Sequence, residues 1–591
     1  MNMTARALGF LIGTVMLLHS QAQREAAHWY FGSYGAGLDF NCDPPRPVRS
    51  GMYYTQEACA SISDTDGALL FYTQGDSVYD RTHSMMENGY GLNVMTNDWG
   101  SSTQGALIVQ RPGDATHYYI FTVDAAGNEL VNGFRYSEVD MEANGGLGAV
   151  TLKAQLLAGP VTEKLAAVHH ANGTDVWVLV HEHGTDAFLA YLVTAQGVSA
   201  VPVISNTGFV QYLPESSASM ARGYMKFAPD GQRLVVLSAS DSHAFVHYPE
   251  LFTFDDATGT VALQHTLQEA EQRQYYGASF SPSGQLLYLS TGWFGYPGLY
   301  QLDVTGADAA TILASRTVLV DPDDYDQATS DIYGALQMGP DGRLYIANHT
   351  GYVDLIEAPD VPGVDCGHVH RAIPLRSCTY TVFGLPNYVE SLFRPEGFFT
   401  GDVCPPDSIH AAFGYAAGAS VLCVGDTVVF QDQSTCHPEA VERWAWSFDD
   451  PDSGMLDSSA VQHPIHAFTT PGVHTVRLIA GIRLAPFWCK SDTTYRNIEV
   501  MACTDGLADV DQYAAALSSP EAAILSFQQQ AWPVGTLLTL TDAAGRVCIR
   551  TGASDVVRQI RVWQTTCPQG LYLFTLALPG VRHTAKWVVV R

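Results

Sequence analysis

Residues 227–238 read FAPDGQRLVVLS: an apolar residue, a small residue, a Pro-Asp-Gly turn and then an apolar strand. Glycine relieves the positive φ that such a turn requires, so the segment reads as a β-hairpin. The same order returns in FSPSGQLLYLS (280–290) and MGPDGRLYIAN (338–348). Looser copies are SISDTDGALLFYT (61–73), VQRPGDATHYYIFTV (109–123) and VHHANGTDVWVLVHE (168–182). The turn glycines Gly67, Gly113, Gly173, Gly231, Gly284 and Gly342 are separated by 46, 60, 58, 53 and 58 residues. After the glycine comes a further strand, marked by Tyr136, Tyr191, Phe252 and Tyr300 in successive copies, which brings each unit to about four strands. No helical period intervenes. Four-stranded units at a spacing near 50 residues predict the blades of a β-propeller around a central channel. The end segments HWYFGSYGAGLDF (28–40) and FGLPNYVESLF (383–393) raise the expected number from six to about seven, with six or eight as alternatives. Ring closure is expected by pairing an N-terminal strand with the last blade, which removes free edges.

Outward from the repeat, the two ends of the chain carry different information. Residues 1–22 hold Arg6, an apolar stretch from Ala7 to Leu18, and Ser20-Gln21-Ala22, the pattern of a secretory signal peptide. The apolar stretch is shorter than the roughly 20 residues a membrane span needs. Thirty basic against 60 acidic residues give a formal net charge of -30, with no Lys/Arg cluster. That balance argues against nucleic acid as a partner. The 11 cysteines form no CxxC pair, and with an export signal they predict disulfides. Sequence-near candidates are Cys42 with Cys59, Cys366 with Cys378 and Cys548 with Cys567; Cys404, Cys423, Cys436, Cys489 and Cys503 group around a later domain.

The segments HWYFGSYGAGLDF, ASISDTDGALLFYTQGDSVYD and GSSTQGALIVQRPGDATHYYIFTVD together resemble large secreted propeller proteins of Bacteroidetes. After residue 402 the repeat stops. VGDTVVFQDQS (424–434), RWAWSFDDPDSG (443–454) and HPIHAFTTPGVHTVRLIA (463–480) alternate as short strands about an aromatic centre and predict a β-sandwich. They resemble a polycystic-kidney-disease (PKD) domain: Trp446, Phe448 and Asp450 match its W-x-F-G-D core, and Phe468, Gly472 and Val476 its second strand pair. Asp449 stands where that family has Gly, and His474 where it has Tyr. The tail resembles the type A sorting domain of type IX secretion, through Leu540–Val547, Gly570 and Tyr572 in a G-x-Y strand, and the basic Lys586 before the terminal Arg591. That resemblance implies recognition by the outer-membrane export machinery and removal of the tail near the linker. The expected order is therefore all-β: signal peptide 1–22, propeller 23–402, PKD-type Ig-like sandwich 403–502, linker 503–517 and a small sandwich-type sorting domain 518–591.

There is no G-x-S-x-G elbow, P-loop or dinucleotide fingerprint. His181 and His183 in VHEHG share a strand face but lack a third ligand, and fit the solvent side of a blade better. The run DPDDYDQATSD, from Asp321, offers Asp321, Asp323, Asp324 and Asp326 as oxygen ligands for a structural calcium ion, without the Gly and closing Glu of an EF-hand. No other cofactor is implied. Among aromatics, Tyr53-Tyr54 and Tyr275-Tyr276 read mainly as packing, whereas Trp293, Phe294 and Tyr296 in the glycine-flanked GWFGYPG (292–298) read as a ligand-binding loop. The expectation is a secreted, surface-displayed binding or adhesion protein for an extracellular glycan or protein. A surface hydrolase acting on glycans or peptides through the channel is the alternative.

Overall fold

All six turn glycines take positive φ in the computed structural model, between 68° and 88°, and each joins the first two strands of a blade. The structure describes residues 24–93, 101–211, 220–239, 247–270, 273–292, 297–321, 331–376, 378–404, 408–417, 421–437, 441–484, 487–505, 535–542, 546–552, 554–566, 570–578 and 581–589. The chain divides into two units, Met1–Pro405 and Pro406–Arg591.

The first unit is a propeller of seven blades among the described residues. Blade 1 is β1 (His28–Phe31), β2 (Ala36–Asp39) and β3 (Arg46–Arg49). Blade 2 is β4 (Ala60–Ser63), β5 (Leu69–Thr73), β6 (Ser77–Asp80) and β7 (Met85–Tyr90). Blade 3 is β8 (Ala106–Gln110), β9 (His117–Val123), β10 (Phe134–Asp140) and β11 (Ala149–Ala158), joined to blade 2 by one parallel pairing of β11 with β7. Blade 4 is β12 (Val161–His169), β13 (Val176–Glu182) and β14 (Ala187–Thr194), with β15 (Gly197–Val198) and β16 (Val203–Asn206) both paired to β14. Blade 5 is β17 (Met225–Phe227), β18 (Arg233–Val236), β19 (Glu250–Asp255) and β20 (Thr260–Thr266). Blade 6 is β21 (Ala278–Phe280), β22 (Leu286–Thr291), β23 (Gly298–Asp303) and β24 (Thr317–Val320), with the short helix α1 (Ala309–Ala314) before β24. Blade 7 is β25 (Leu336–Met338), β26 (Leu344–Ala347), β27 (Tyr352–Ile356) and β28 (His368–Pro374).

The first strands of blades 2 to 7 neighbour one another in order around the channel, and β1 lies beside β4. The inner strands, such as β12 and β13, are buried on both sides because each blade packs between two others, whereas outer strands such as β7 and β20 are largely exposed. His181, expected on a solvent side, is accordingly 1% exposed and lies edge-on to Phe188. Strand alternation separates core from solvent only where one sheet face is wet, and on β13 neither is.

Closure departs from expectation. Blade 7 is complete without any N-terminal strand, and the chain after β28 returns to blade 1 instead. That return is made through single bridges, Ser33 with Tyr380 and Cys42 with Asp402, while Trp29 and Phe40 pack edge-on to Tyr345 of β26. The disulfide Cys42–Cys404 spans 362 residues and ties the two ends of the ring. The expected Cys42–Cys59 and Cys366–Cys378 pairs do not form: Cys59, Cys366 and Cys378 are thiols. Sequence proximity misled because ring closure, not local chain reversal, brings Cys42 its partner. Cys548 is exposed, and Cys567 lies outside the described residues.

In the second unit, β29 (Ser408–His410), β30 (Phe413–Ala417), β31 (Thr427–Asp432), β32 (Thr435–His437), β33 (Arg443–Ser447), β34 (Ser458–Ser459), β35 (Ile465–Ala467), β36 (Gly472–Leu484) and β37 (Phe487–Val500) form small antiparallel sheets. Their buried core holds Phe430, Trp446, Phe448 and Phe468. Asp449, at the Gly position of the PKD pattern, takes the left-handed φ of 58°. Its carboxylate accepts the Thr475 amide at 2.9 Å, and His474 contacts its carbonyl at 2.7 Å. Both departures from the pattern thus meet at one turn. Cys423–Cys503 closes this sandwich.

The tail contains β38 (Thr504–Asp505), β39 (Leu537–Asp542), β40 (Val547–Gly552), the helix α2 (Val556–Thr566), β41 (Gly570–Leu578) and β42 (Val581–Val589), in the sheet order β38, β42, β41, β39, β40. Among the described residues the layer against this sheet is α2, whose Val556, Ile560 and Trp563 pack with Leu538, Leu540 and Phe574.

Candidate functional site

The centre of the propeller is filled by its own chain. The Asn387 amide donates to the Cys59 carbonyl at 3.0 Å, and its side chain donates to the Leu165 carbonyl at 2.8 Å. The Tyr388 hydroxyl lies 2.8 Å from that of Ser61 and donates to the His28 carbonyl at 3.1 Å. Val389 bridges Ala167, and the Ser391 hydroxyl accepts from the His169 amide at 2.9 Å. Residues 383–394 thereby reach the first strands of blades 1, 2 and 4. Lys226 of blade 5, also bonded to Gln337 of blade 7 at 2.5 Å, forms a fully buried ion pair with Glu390. Burial raises the Glu390 carboxyl and the Lys226 ammonium opposes it. Burial likewise lowers His169, to about 4, so it stands neutral against Ser391.

At the end where the first strands begin, the channel is roofed by buried polar groups. Glu163 of β12 accepts from the Thr103 amide at 2.9 Å, the Thr103 hydroxyl at 2.6 Å and the Ala126 amide at 2.6 Å. The neighbouring Glu57 accepts from the Tyr276 hydroxyl. Burial, then the Glu163 charge, push the Glu57 carboxyl well above its usual range. Burial raises the Glu163 carboxyl as well, opposed by the Arg222 guanidinium and the hydrogen bonds it accepts. Both are 1% exposed or less. Lys164 beside them is lowered to about 7 by burial, yet its ammonium donates to three successive carbonyls, of Met220, Ala221 and Arg222, at 2.9–3.0 Å. These groups serve to pin loops.

At this end three tyrosines, Tyr34, Tyr53 and Tyr380, come together. Gly32 at φ 65° and Gly35 at φ 79° bracket a turn that holds Tyr34 itself at φ 59°. The Tyr34 amide donates to the Tyr53 carbonyl at 2.6 Å, and the Ser33 amide to the Tyr380 carbonyl at 2.9 Å. The Tyr34 ring is edge-on to Tyr53 (5.3 Å between centroids) and to Tyr380 (6.4 Å). Tyr53 is 60% exposed and Tyr380 44%. A pole of three rings fixed by backbone bonds at the seam of blades 1 and 7 can stack on a flat ligand without first being ordered.

Beside it, in blade 7, Thr381 and Thr350 hydrogen-bond to Asn348, which donates to the buried Asp354 at 2.6 Å. Asp354 in turn accepts from His368 and His370, each at 3.1 Å.

The sequence-predicted residues fare unequally. Tyr275 and Tyr276 are buried, as packing; of the other pair, Tyr53 is exposed and Tyr54 half-buried. No sequence pattern singles out Tyr34 or Tyr380 beyond the glycines that flank Tyr34 in GSYGAG. Trp293, Phe294 and Tyr296 lie outside the described residues, as do Asp323, Asp324, Asp326 and Arg591. Asp321 is exposed just past β24. Among the described residues no group of three or more His, Cys, Asp or Glu side chains is placed to hold a metal ion. Gly570 begins β41, and the buried Tyr572 ring lies edge-on to Trp563 at 5.0 Å. Lys586 is on β42, paired with Leu573. No described helix is long and apolar enough to cross a membrane.

No family model matches the chain, and no curated protein matches it. Among solved structures, it is similar to the PKD1 domain of Vibrio anguillarum Epp, at 20% identity over 16% of this chain and 95% of that one, with a TM-score of 0.13. The PKD1 domain of the Vibrio cholerae metalloprotease PrtV matches at 19% identity over 15% and 95%, with a TM-score of 0.12. The β-propeller domain of Myceliophteria thermophila Cps50 (Swd1) matches at 10% identity over 55% and 92%, with a TM-score of 0.33.

Proposed function

We propose that the chain is a secreted binding or adhesion protein, displayed at the cell surface after type IX export, whose propeller face captures an extracellular glycan or protein. The observation that carries this reading is the pairing of a channel filled by residues 383–394 with a fixed, solvent-facing cluster of Tyr34, Tyr53 and Tyr380. Among the described residues Glu57 and Glu163 are buried and the channel holds residues 383–394, which disfavours a substrate reaching them, whereas exposed preorganised rings are the groups that anchor ligands. The two disulfides suit an oxidising compartment, and the signal-like N-terminus and the tail supply the address. Structural calcium at Asp321, Asp323, Asp324 and Asp326 belongs to the same proposal and would tie these carboxylates together.

The test is a glycan array together with a surface-protein pull-down, using the full chain and its Tyr53→Ala/Tyr380→Ala variant, with bound material analysed for cleavage. Saturable capture of an intact ligand, weakened at least tenfold in the variant, is expected. A shortened product would favour the hydrolase and direct attention to Glu57 and Glu163. Deleting residues 518–591 should leave the protein unexported if the tail is its sorting signal.

A further inference from the structure

His370 sits on β28 between two carboxylates from different parts of blade 7. Its Nε2 lies 3.0 Å from Asp331 Oδ2, on the segment entering β25, and its Nδ1 lies 3.1 Å from Asp354 Oδ2, on β27. A neutral imidazole carries one N–H, so only the imidazolium donates to both. Neither carboxylate is a plausible seat for the proton instead. Asp354 also accepts from His368 Nε2 at 3.1 Å, Asn348 Nδ2 at 2.6 Å and the Arg371 amide at 2.8 Å. Burial alone would raise its carboxyl, but the hydrogen bonds from His368, His370 and Arg371 outweigh burial and hold it well below the usual carboxylate range. Asp331 is paired with the Arg371 guanidinium at 3.0 Å. The geometry therefore fixes the proton on the ring.

We propose that His370 is a proton-binding site built into blade 7, clamping the segment that enters β25 to β27 while it is protonated and loosening that link, with the Arg371–Asp331 pair left in place, when the proton leaves. The charged and titratable groups facing this clamp, among the described residues, are Asp331 and Tyr333 from the segment before β25, Asp354 and Tyr352 from β27, and His368 and Arg371 from β28. Two carboxylates favour the imidazolium; Arg371 opposes it. The outcome is a His370 raised above its ordinary range, chiefly by the Asp354 hydrogen bond and against burial. The side chain is 45% exposed, so protons exchange with the medium. Because Asn348 links Asp354 to Thr381, the clamp is continuous with the segment carrying Tyr380. It is independent of what that face binds.

A histidine with a raised folded value stabilises fully below its unfolded value and loses that contribution as the pH rises through the folded one. Titration of the full chain labelled at histidine, with the His370 resonance identified by its loss in His370→Gln, reads the site directly. A midpoint above ~6.5, the value of an unperturbed imidazole, that falls in Asp331→Asn is expected. A midpoint at or below that value, or one unmoved by Asp331→Asn, overturns the proposal. Thermal unfolding gives a second reading. The gap between the wild type and His370→Gln should be widest below pH 6.5 and close as the solution becomes alkaline; a gap constant with pH also overturns it.

Discussion

At the scale of single residues, the ion pair at the centre of the propeller decides more than any surface group. Lys226 and Glu390 are both buried and each is the other's only opposite charge at contact distance among the described residues. Removing one partner strands a charge in the core, which costs about 3–5 kcal/mol. Glu390→Gln should therefore be strongly destabilising in urea unfolding, whereas Lys226→Met with Glu390→Leu, which removes both charges, should recover most of the loss. Recovery tells whether the pair stabilises the fold or merely tolerates burial. A second residue-scale expectation concerns acid. His169, at about 4, and His181, at about 3, are held neutral in the fold chiefly by burial. The unfolded chain binds protons there below about 6.5, so stability falls as the pH drops from 6.5 towards 4. Replacing His169 by Asn should flatten that fall, read from unfolding free energies at several pH values.

At the scale of elements, the hairpin turns were legible because a chain that reverses this tightly needs a positive φ, and glycine is the residue that supplies it without strain. Two turns separate that backbone requirement from packing. A Cβ added at Gly113, φ 75°, meets nothing within 4 Å, whereas one at Gly342, φ 78°, falls 2.8 Å from the Phe398 ring. Gly113→Ala should cost about 1–2 kcal/mol, the left-handed penalty alone, and Gly342→Ala measurably more by the same denaturant assay. Equal losses would mean that Phe398 yields without cost. What the elements did not disclose is the site. Tyr34, Tyr53 and Tyr380 come from a turn, a linker and the chain after the last blade, so no period in sequence relates them. His181 was misplaced for a related reason: a strand covered on both sides carries no alternation that tells inside from outside.

At the scale of the whole molecule, the propeller is held closed by the segment 379–404, which fills the channel and then reaches Cys42. A disulfide acts largely by restricting the unfolded chain, and the gain grows with the loop enclosed; here the ends are 362 residues apart. The double substitution Cys42→Ser/Cys404→Ser, which creates no new unpaired thiol, should cost about 2–5 kcal/mol, measured by denaturant unfolding of the full chain followed through tyrosine and tryptophan fluorescence. The Lys226–Glu390 pair holds the same segment 14 residues upstream of Cys404. If covalent tie and buried pair secure one closing element, Glu390→Gln will cost less in the disulfide-free chain than in the wild type, because the segment is already partly released. Strict additivity would instead show that residues 383–394 stay seated without the disulfide, and that the channel filling belongs to the core of the ring rather than to its closure.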